Sequence, residues 1–360
     1  MNINTLKENL MNTIKYDFTG NNKQKIMNMI IDEKIGTYHP KKDPNSINLV
    51  NMEINEKIEL CLNSNNKVID FINKLEFSKG YRYSILLKYS NIDFSKFDTL
   101  YTNINGDYYN NYNNDFDSDE VLIKENTDMY LIKFHKFIKI IDKKNVQEKT
   151  IRYPIVIAIY KNINVLEIKF DKLSHDGDSN FYKLTMDARI SRLVTDLNLI
   201  WEPFSLEETI KELDTTYSDL AKVIIWSFEA AQSKGLTLKV GEDGIMPFIG
   251  EIELLINSIR ESYDNDEVNN ALDEVLDYID RTKKFANEKF RIISWKKRYN
   301  SNKNKFEDLD DNELNMKINF EYKESMHDLI NIYEIEINDM ERCNYVIKSI
   351  CEIARRIGEL

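Results

Sequence analysis

Residues 153–170 read YPIVIAIYKNINVLEIKF, and this stretch predicts a β-hairpin in the middle of a sheet. Ile155–Tyr160 is an unbroken apolar run, as expected of a strand that is buried on both faces. Lys161–Asn164 supplies a polar turn, and Val165–Phe170 resumes with alternating side chains. We therefore expect a sheet-centred α+β protein around this hairpin.

The segments on either side extend this hairpin into a first domain, residues 1–200. Tyr81–Lys88 and Met129–Ile141 are rich in Ile, Leu, Phe and Tyr, which predicts two further strands. Apolar residues at helical spacing predict helices at Asn4–Ile14, Lys67–Leu75 and Phe181–Leu197. The expected domain is a mostly antiparallel sheet with flanking helices. Residues 101–118 are dense in Asn and Tyr and predict a mobile loop.

The break at Trp201–Phe204 places the domain boundary near residue 201, with a second domain over 205–360. Ser205 and Glu208 form a capping-box signature, which predicts a helix running to about Gln232. Farther on, we expect three strands that form a small antiparallel sheet, covered by a final helix. The strands are Phe290–Trp295, Leu314–Tyr322 and Asn331–Ile337, and the helix is Asp339–Ile357.

Charge is segregated along the chain, whose 360 residues carry a net charge of -12. Residues 281–305, RTKKFANEKFRIISWKKRYNSNKNK, contain ten Lys or Arg and one acid. Aromatic residues are interleaved with these cations. Cations that bind phosphates and rings that stack on bases are the two components of a single-strand nucleic-acid surface.

The leading hypothesis is a non-enzymatic protein that binds DNA or RNA through 281–305. The residues expected on phosphates or bases are Lys283, Lys284, Lys289, Arg291, Trp295, Lys296, Lys297, Arg298 and Tyr299. The structural alternative is a helix C-terminus whose cations offset the dipole, followed by the acidic run EDLDDNE, residues 307–313, folding back on them.

Two other functions stay open. In the first, the protein is an interaction subunit of a larger complex, for example one that acts in host defence. In the second it is a divalent-metal nuclease that uses Glu167 and Lys169, an E-x-K pair on one strand face. Such a nuclease needs an acid on the neighbouring strand, and Ile155–Tyr160 contains none.

Other sequence features set limits on function. Three cysteines without a CxxC pair argue against a disulfide framework and a thiolate zinc site. The glycine spacing matches neither the Walker nor the Rossmann pattern, so we expect no cofactor and no metal. The first residues lack the apolar core of a signal peptide, and no apolar run approaches the ~20 residues that span a bilayer. We therefore expect a cytoplasmic protein without membrane contact.

Overall fold

The computed structural model describes residues 2–104, 120–142, 146–171, 181–230, 236–240, 249–262, 265–284, 287–295, 297–300, 305–308, 313–322, 326–333 and 340–360. The chain divides into two compact units. Unit 1 comprises residues 1–203, 334–347 and 360, and unit 2 comprises residues 204–333 and 348–359. The last helix is thus shared between the units, whereas the sequence placed all of it in the second domain. The predicted α+β class is confirmed.

Unit 1 begins with helices and continues with a sheet. Its helices are α1 (Ile3–Tyr16), α2 (Gly20–Asp32), α3 (Ile54–Ser64), α4 (Lys67–Glu76), α5 (Phe97–Leu100) and α6 (Phe181–Leu197). Its strands are β1 (Gly36–Thr37), β2 (Ile47–Asn48), β3 (Tyr83–Asn91), β4 (Thr102–Asn103), β5 (Leu122–Glu125), β6 (Met129–Asp142), β7 (Gln147–Tyr160), β8 (Val165–Phe170) and β9 (Ile200–Pro203).

The sheet of unit 1 is built around the predicted hairpin. Its strands follow the order β3-β8-β7-β6-β5-β4, while β9 also pairs with β3. Neighbouring strands are antiparallel except for β4 and β5. β6 and β7 pair over their full length, from Met129 opposite Tyr160 to Asp142 opposite Gln147. β7 is buried from Ile151 to Tyr160, as its apolar run predicts. β8 is buried at every position from Val165 to Phe170 and does not show the alternation expected for it, because it lies between β3 and β7 and its charged residues Glu167 and Lys169 pair within the fold.

A helical cluster forms a second part of the unit 1 core. α1 to α4 contribute one buried apolar set, which includes Leu10, Ile14, Ile26, Ile30 and Ile72. α1 begins at the N-cap Asn2, whose Oδ1 accepts the Thr5 amide at 2.8 Å. Its side chains also contact the sheet, where Thr13 Oγ1 accepts the Arg152 amide at 2.8 Å. This bond fixes α1 beside the middle of β7.

Unit 2 contains helices and an antiparallel sheet. Its helices are α7 (Glu207–Thr216), α8 (Ile249–Ser262) and α9 (Asp266–Lys284), and α10 (Met340–Arg356) is divided between the units. Its strands are β10 (Ala221–Ala230), β11 (Leu236–Val240), β12 (Asn287–Trp295), β13 (Lys297–Asn300), β14 (Lys305–Asp308), β15 (Leu314–Asn319) and β16 (Leu329–Ile332). The main sheet has the order β11-β10-β12-β15-β16, and β13 and β14 form a separate two-stranded sheet.

Two local predictions are wrong. The helix expected from Ser205 to Gln232 ends at Thr216, and Ala221–Ala230 is strand β10. Its run of Val223, Ile224 and Ile225 is β-branched, which favours a strand. β12 pairs with this strand from Ala221 to Glu229, and β11 pairs with it from Trp226 to Ala230. Helix α7 also begins after Leu206, without a side-chain cap from Ser205.

The predicted mobile loop 101–118 is wrong at its first residues. Tyr101 is buried, and its hydroxyl donates to Asp196 Oδ2 at 3.2 Å. Thr102 and Asn103 form β4. The remainder of the predicted loop, 105–118, lies outside the described residues. Among the helices that are described, none has both the length and the apolar character needed to cross a bilayer.

Candidate functional site

The structure separates the predicted nucleic-acid segment into interior and exterior parts. In β12, Arg291, Ile293 and Trp295 share one strand face, and all three are buried. The Trp295 side chain is 0% exposed, and its indole Nε1–H donates to Met316 Sδ at 2.9 Å. In this conformation its ring is not accessible to a base. Its predicted stacking role is therefore corrected to a core role.

Arg291 is also an interior residue. It is 4% exposed, its guanidinium donates to the Ile210 carbonyl at 3.3 Å, and Asp214 lies 3.7 Å away. These contacts join β12 to α7. The predicted phosphate contact at Arg291 is corrected in the same way, because a buried guanidinium that holds a helix cannot reach a polyanion.

The remaining predicted residues lie elsewhere. Lys289 is exposed near the start of β12. Lys283 and Lys284 lie at the end of α9, and Lys296 lies outside the described residues. Lys297, Arg298 and Tyr299 lie together in β13. The predicted residues are thus divided among the end of α9, strand β12 and strand β13.

Strands β13 and β14, residues 297–308, form a two-stranded ribbon with a fixed antiparallel register. Lys297 is opposite Asp308, Arg298 is opposite Glu307, and Tyr299 is opposite Phe306. Glu307 and Asp308, the first two residues of the acidic run 307–313, therefore pair with the basic segment. This is the folding back that the non-functional explanation of the basic segment predicts. Residues 297–308 contain four cations and two acids, a net charge of +2.

The second predicted site, Glu167 and Lys169 on β8, is an interior ion pair. Lys169 Nζ lies 2.6 Å from Glu167 Oε2, and the two side chains are 3% and 0% exposed. The Tyr160 hydroxyl donates to the same carboxylate at 2.6 Å. Both charges are therefore compensated within the fold.

Neither strand beside β8 places a carboxylate opposite Glu167. Ala158 of β7 and Leu86 of β3 stand opposite it. Two other acids of the sheet region do not complete such a site: Asp142 ends β6, and Asp171 follows β8 and pairs with Lys79. Within the described residues, no group of three or more His, Cys, Asp or Glu could hold a metal ion. The geometry gives the nuclease reading no additional support.

A cluster that the sequence did not suggest surrounds Glu76, the last residue of α4. Lys133 Nζ lies 2.7 Å from Glu76 Oε2, and Arg152 Nη2 lies 2.8 Å from the same oxygen. Both cations also donate to Asn73 Oδ1. The His135 Nε2 lies 3.8 Å from Glu76 Oε2. All four charged or titratable side chains are at most 7% exposed.

Burial and pairing set the ionisation of this ionic cluster, which we define as Glu76, Lys133, His135 and Arg152. Burial alone would raise the pKa of Glu76, but Arg152 and Lys133 hold it well below 4.5. Burial, supported by Arg152, lowers the pKa of His135 to about 3. Burial also lowers the pKa of Lys133 to about 8, although Glu76 opposes that shift. At neutral pH the histidine is therefore uncharged and Glu76 is ionised.

A sequence signal for the cluster does exist. Lys133 and His135 interrupt the apolar strand Met129–Ile141 at alternate positions, and Arg152 precedes the buried run of β7. Charged residues at alternate positions of an apolar strand face the same side. Their partner Glu76 lies on a helix, so the sequence pattern alone does not identify it.

Comparison with protein-family models, with curated proteins and with solved structures finds no match.

Proposed function

We propose that this protein binds nucleic acid through the ribbon β13–β14, residues 297–308. The observation that carries the proposal is that Lys297, Arg298 and Tyr299 lie on a two-stranded ribbon separate from the main sheet of unit 2. A two-stranded ribbon is, with the α-helix, one of the elements that the major groove admits. The proposal thus keeps nucleic-acid binding as the function, and it moves the binding surface from residues 281–305 to the ribbon.

The distribution of charge along the ribbon supports this surface. Residues 297–305, KRYNSNKNK, contain four cations and no acid, whereas Glu307 and Asp308 follow in β14. Residues 301–304, between the two strands in sequence, are Asn, Lys and Ser, residue types that donate to phosphate oxygens and base edges. Outside residues 281–305 the chain is acidic and repels nucleic acid, which favours contact through this segment.

The test is a binding titration by fluorescence anisotropy, with short labelled DNA and RNA in single- and double-stranded form. The variant carries Lys296→Glu, Lys297→Glu and Arg298→Glu together. A matched control carries Lys41→Glu, Lys42→Glu and Lys183→Glu, three exposed cations of unit 1 that give the same change in net charge.

The wild-type protein and the control variant are expected to bind, with affinity that falls steeply between about 50 and 200 mM salt. The ribbon variant is expected to lose binding, because repulsion replaces up to three phosphate contacts. The proposal fails if the wild type does not bind any of these ligands at low salt, or if both variants weaken binding equally.

The protein-interaction alternative is favoured by one observation. Lys297 and Arg298 stand opposite acids in the register, and this arrangement lowers the net charge of the ribbon at its base. A ribbon that served a protein partner would give a stable complex in a pull-down with the wild-type chain, no affinity for nucleic acid, and loss of the complex in the ribbon variant.

A further inference from the structure

Helix α9 of unit 2 carries an exposed apolar face. Val275 and Tyr278 are 43% and 55% exposed, and Ala271 is exposed as well. These three residues lie on one side of the helix, because positions i, i+4 and i+7 follow one another along a helix surface. Ile279, on the neighbouring side, is buried. The helix therefore packs into unit 2 through that side, and the face formed by Ala271, Val275 and Tyr278, which we call the α9 face, is open to solvent.

Helix α8 lies beside α9 and fixes its position. Arg260 of α8 forms an ion pair with Asp273 of α9. Ile256 of α8 is buried, whereas Leu254 and Leu255 of the same helix are 61% and 59% exposed. Both helices of this pair thus combine a buried apolar side chain with large apolar side chains in solvent.

An acidic edge borders the α9 face. Glu267 and Glu274 precede Ala271 and Tyr278 by four residues, so they lie next to them on the helix surface. Both acids are exposed. Residues 266–280 contain six acids and no cation, a net charge of -6, before the cations of the basic segment begin. Singly exposed apolar residues are ordinary, whereas an exposed apolar face with a polar rim is typical of a site of protein interaction.

The charge of this edge determines which occupant fits. A second copy of the chain, placed with its α9 face against the first, would bring -6 against -6 and be repelled. Nucleic acid is repelled for the same reason. The occupant must therefore combine an apolar surface with positive charge. An amphipathic helix with Lys or Arg beside its apolar stripe has both, and its side chains pack against another helix at the spacing of the α9 face.

We propose that the α9 face binds a basic amphipathic helix of a protein partner. Val275 and Tyr278 contact the apolar stripe of that helix, and Glu267 and Glu274 pair with its cations. No residue of this face belongs to the ribbon β13–β14. The inference is therefore independent of the proposed nucleic-acid binding.

The experiment is a titration of the full chain, followed by fluorescence anisotropy, with a labelled synthetic peptide of Leu, Lys and Ala. Its leucines repeat at helical spacing, so that the folded peptide has one apolar stripe bordered by lysines. One control peptide has the same composition in an order that destroys the stripe. A second control peptide keeps the stripe and carries Glu in place of Lys.

One variant tests the apolar contacts at constant charge. It carries Val275→Ser and Tyr278→Ser together. The matched control carries Leu184→Ser and Val194→Ser on α6 of unit 1, which are likewise large apolar residues in solvent on a helix. All four substitutions are made at exposed positions, and circular dichroism verifies that each protein retains its fold.

A second variant tests the acidic edge. It carries Glu267→Gln and Glu274→Gln together, which remove two charges and leave the apolar side chains in place. The matched control carries Asp32→Asn and Glu59→Gln, two exposed acids of unit 1 that give the same change in net charge.

We expect the amphipathic Leu/Lys peptide to bind the wild-type chain, and both control peptides to bind at least about tenfold more weakly. Val275→Ser with Tyr278→Ser should weaken binding of the Leu/Lys peptide by about tenfold or more, because the apolar centre of an interface supplies most of its affinity. Glu267→Gln with Glu274→Gln should weaken binding less and reduce its dependence on salt. Both matched controls should bind like the wild type.

The proposal is overturned if the wild type does not bind the Leu/Lys peptide, or if the peptide without a stripe binds equally well. It is also overturned if either folded variant of the α9 face binds like its matched control. Analytical ultracentrifugation without peptide tests the other occupant. A wild-type dimer that dissociates in the Val275→Ser, Tyr278→Ser variant would assign the face to a second copy of the chain and contradict the proposal.

Discussion

The ionic cluster of unit 1 and the basic segment 281–305 of unit 2 place their charges in opposite ways. Glu76 meets cations that lie 57 and 76 residues farther along the chain, at Lys133 and Arg152, and the group is buried. Arg291 and Lys297, in contrast, are close in sequence but lie on different sheets. In the ionic cluster, charges that are distant in sequence lie together. In the basic segment, charges that are close in sequence lie apart.

The difference shows that local charge density is a poor guide to a shared surface. In β12 the alternation of the strand turns Arg291 and Trp295 inward together, whatever the charge of their neighbours. In unit 1, single charges that each look isolated in the sequence form one buried, ion-paired network. The effects of substitutions in the ionic cluster and at the basic segment test this difference.

The largest effect is expected at the centre of the ionic cluster. Glu76→Gln leaves Lys133 and Arg152 buried without their counter-charge, and removing one partner of a buried ion pair destabilises a protein by about 3–5 kcal/mol. Chemical denaturation measures the free energy of unfolding. Glu33→Gln, which removes the exposed partner of Lys67, is the control and should have a far smaller effect. Equal losses in the two variants would contradict an interior cluster.

The second effect is a dependence of stability on pH that is due to His135. Its folded pKa is depressed to about 3, so below about pH 6.5 the unfolded chain takes up a proton that the folded chain does not. This contribution to stability is present above pH 6.5 and is lost progressively as the pH falls towards 3.

The corresponding measurement compares the wild type with His135→Gln at pH 7 and pH 5. The wild type should lose about 2 kcal/mol more than the variant over this interval, because each pH unit below 6.5 is equivalent to about 1.4 kcal/mol. Glu76, Lys133 and Arg152 face the same site and are common to both proteins. Parallel pH profiles would show that His135 titrates normally.

A smaller effect is expected at Trp295. Trp295→Phe removes ring volume from the core and the indole donor to Met316, which should reduce the free energy of unfolding by about 1–2 kcal/mol. Thermal and chemical denaturation test this. Unchanged stability would indicate that the ring is not packed in the interior.

The smallest effect is expected at a contact between β15 and β12. Lys317 Nζ lies 3.6 Å from the centroid of the Phe290 ring, a cation–π contact worth about 0.5–1 kcal/mol at partly exposed sites. Lys317→Met keeps most of the aliphatic stem and should lose that amount in chemical denaturation. A loss as large as that of Trp295→Phe would mean that Lys317 supports the core.

Part of the fold was predictable because it depends on local pattern. The hairpin at 153–170 has a long apolar run and a polar turn, and Asn164 takes the positive φ of 51° that Asn tolerates. In β15, Leu314, Met316 and Ile318 alternate with half-buried neighbours, as the sequence pattern indicates. Alternation along one strand is a property of that strand alone.

The rest depends on contacts between distant segments. Ala221–Ala230 followed a plausible helix signal, but its hydrogen bonds to β11 and β12 decide the outcome. The burial of Trp295 and the ion pairs of Glu76 likewise require partners that no local window contains. The sequence placed Lys297, Arg298 and Tyr299 in one set with Arg291 and Trp295, and no local pattern indicated that the structure divides that set between two sheets.

The most direct test of the account is to compare Trp295→Phe with the ribbon variant Lys296→Glu, Lys297→Glu, Arg298→Glu in one nucleic-acid titration. The account predicts that Trp295→Phe binds with the affinity and salt dependence of the wild type, while the ribbon variant does not bind. Loss of binding in folded Trp295→Phe, with retention in the ribbon variant, would contradict it.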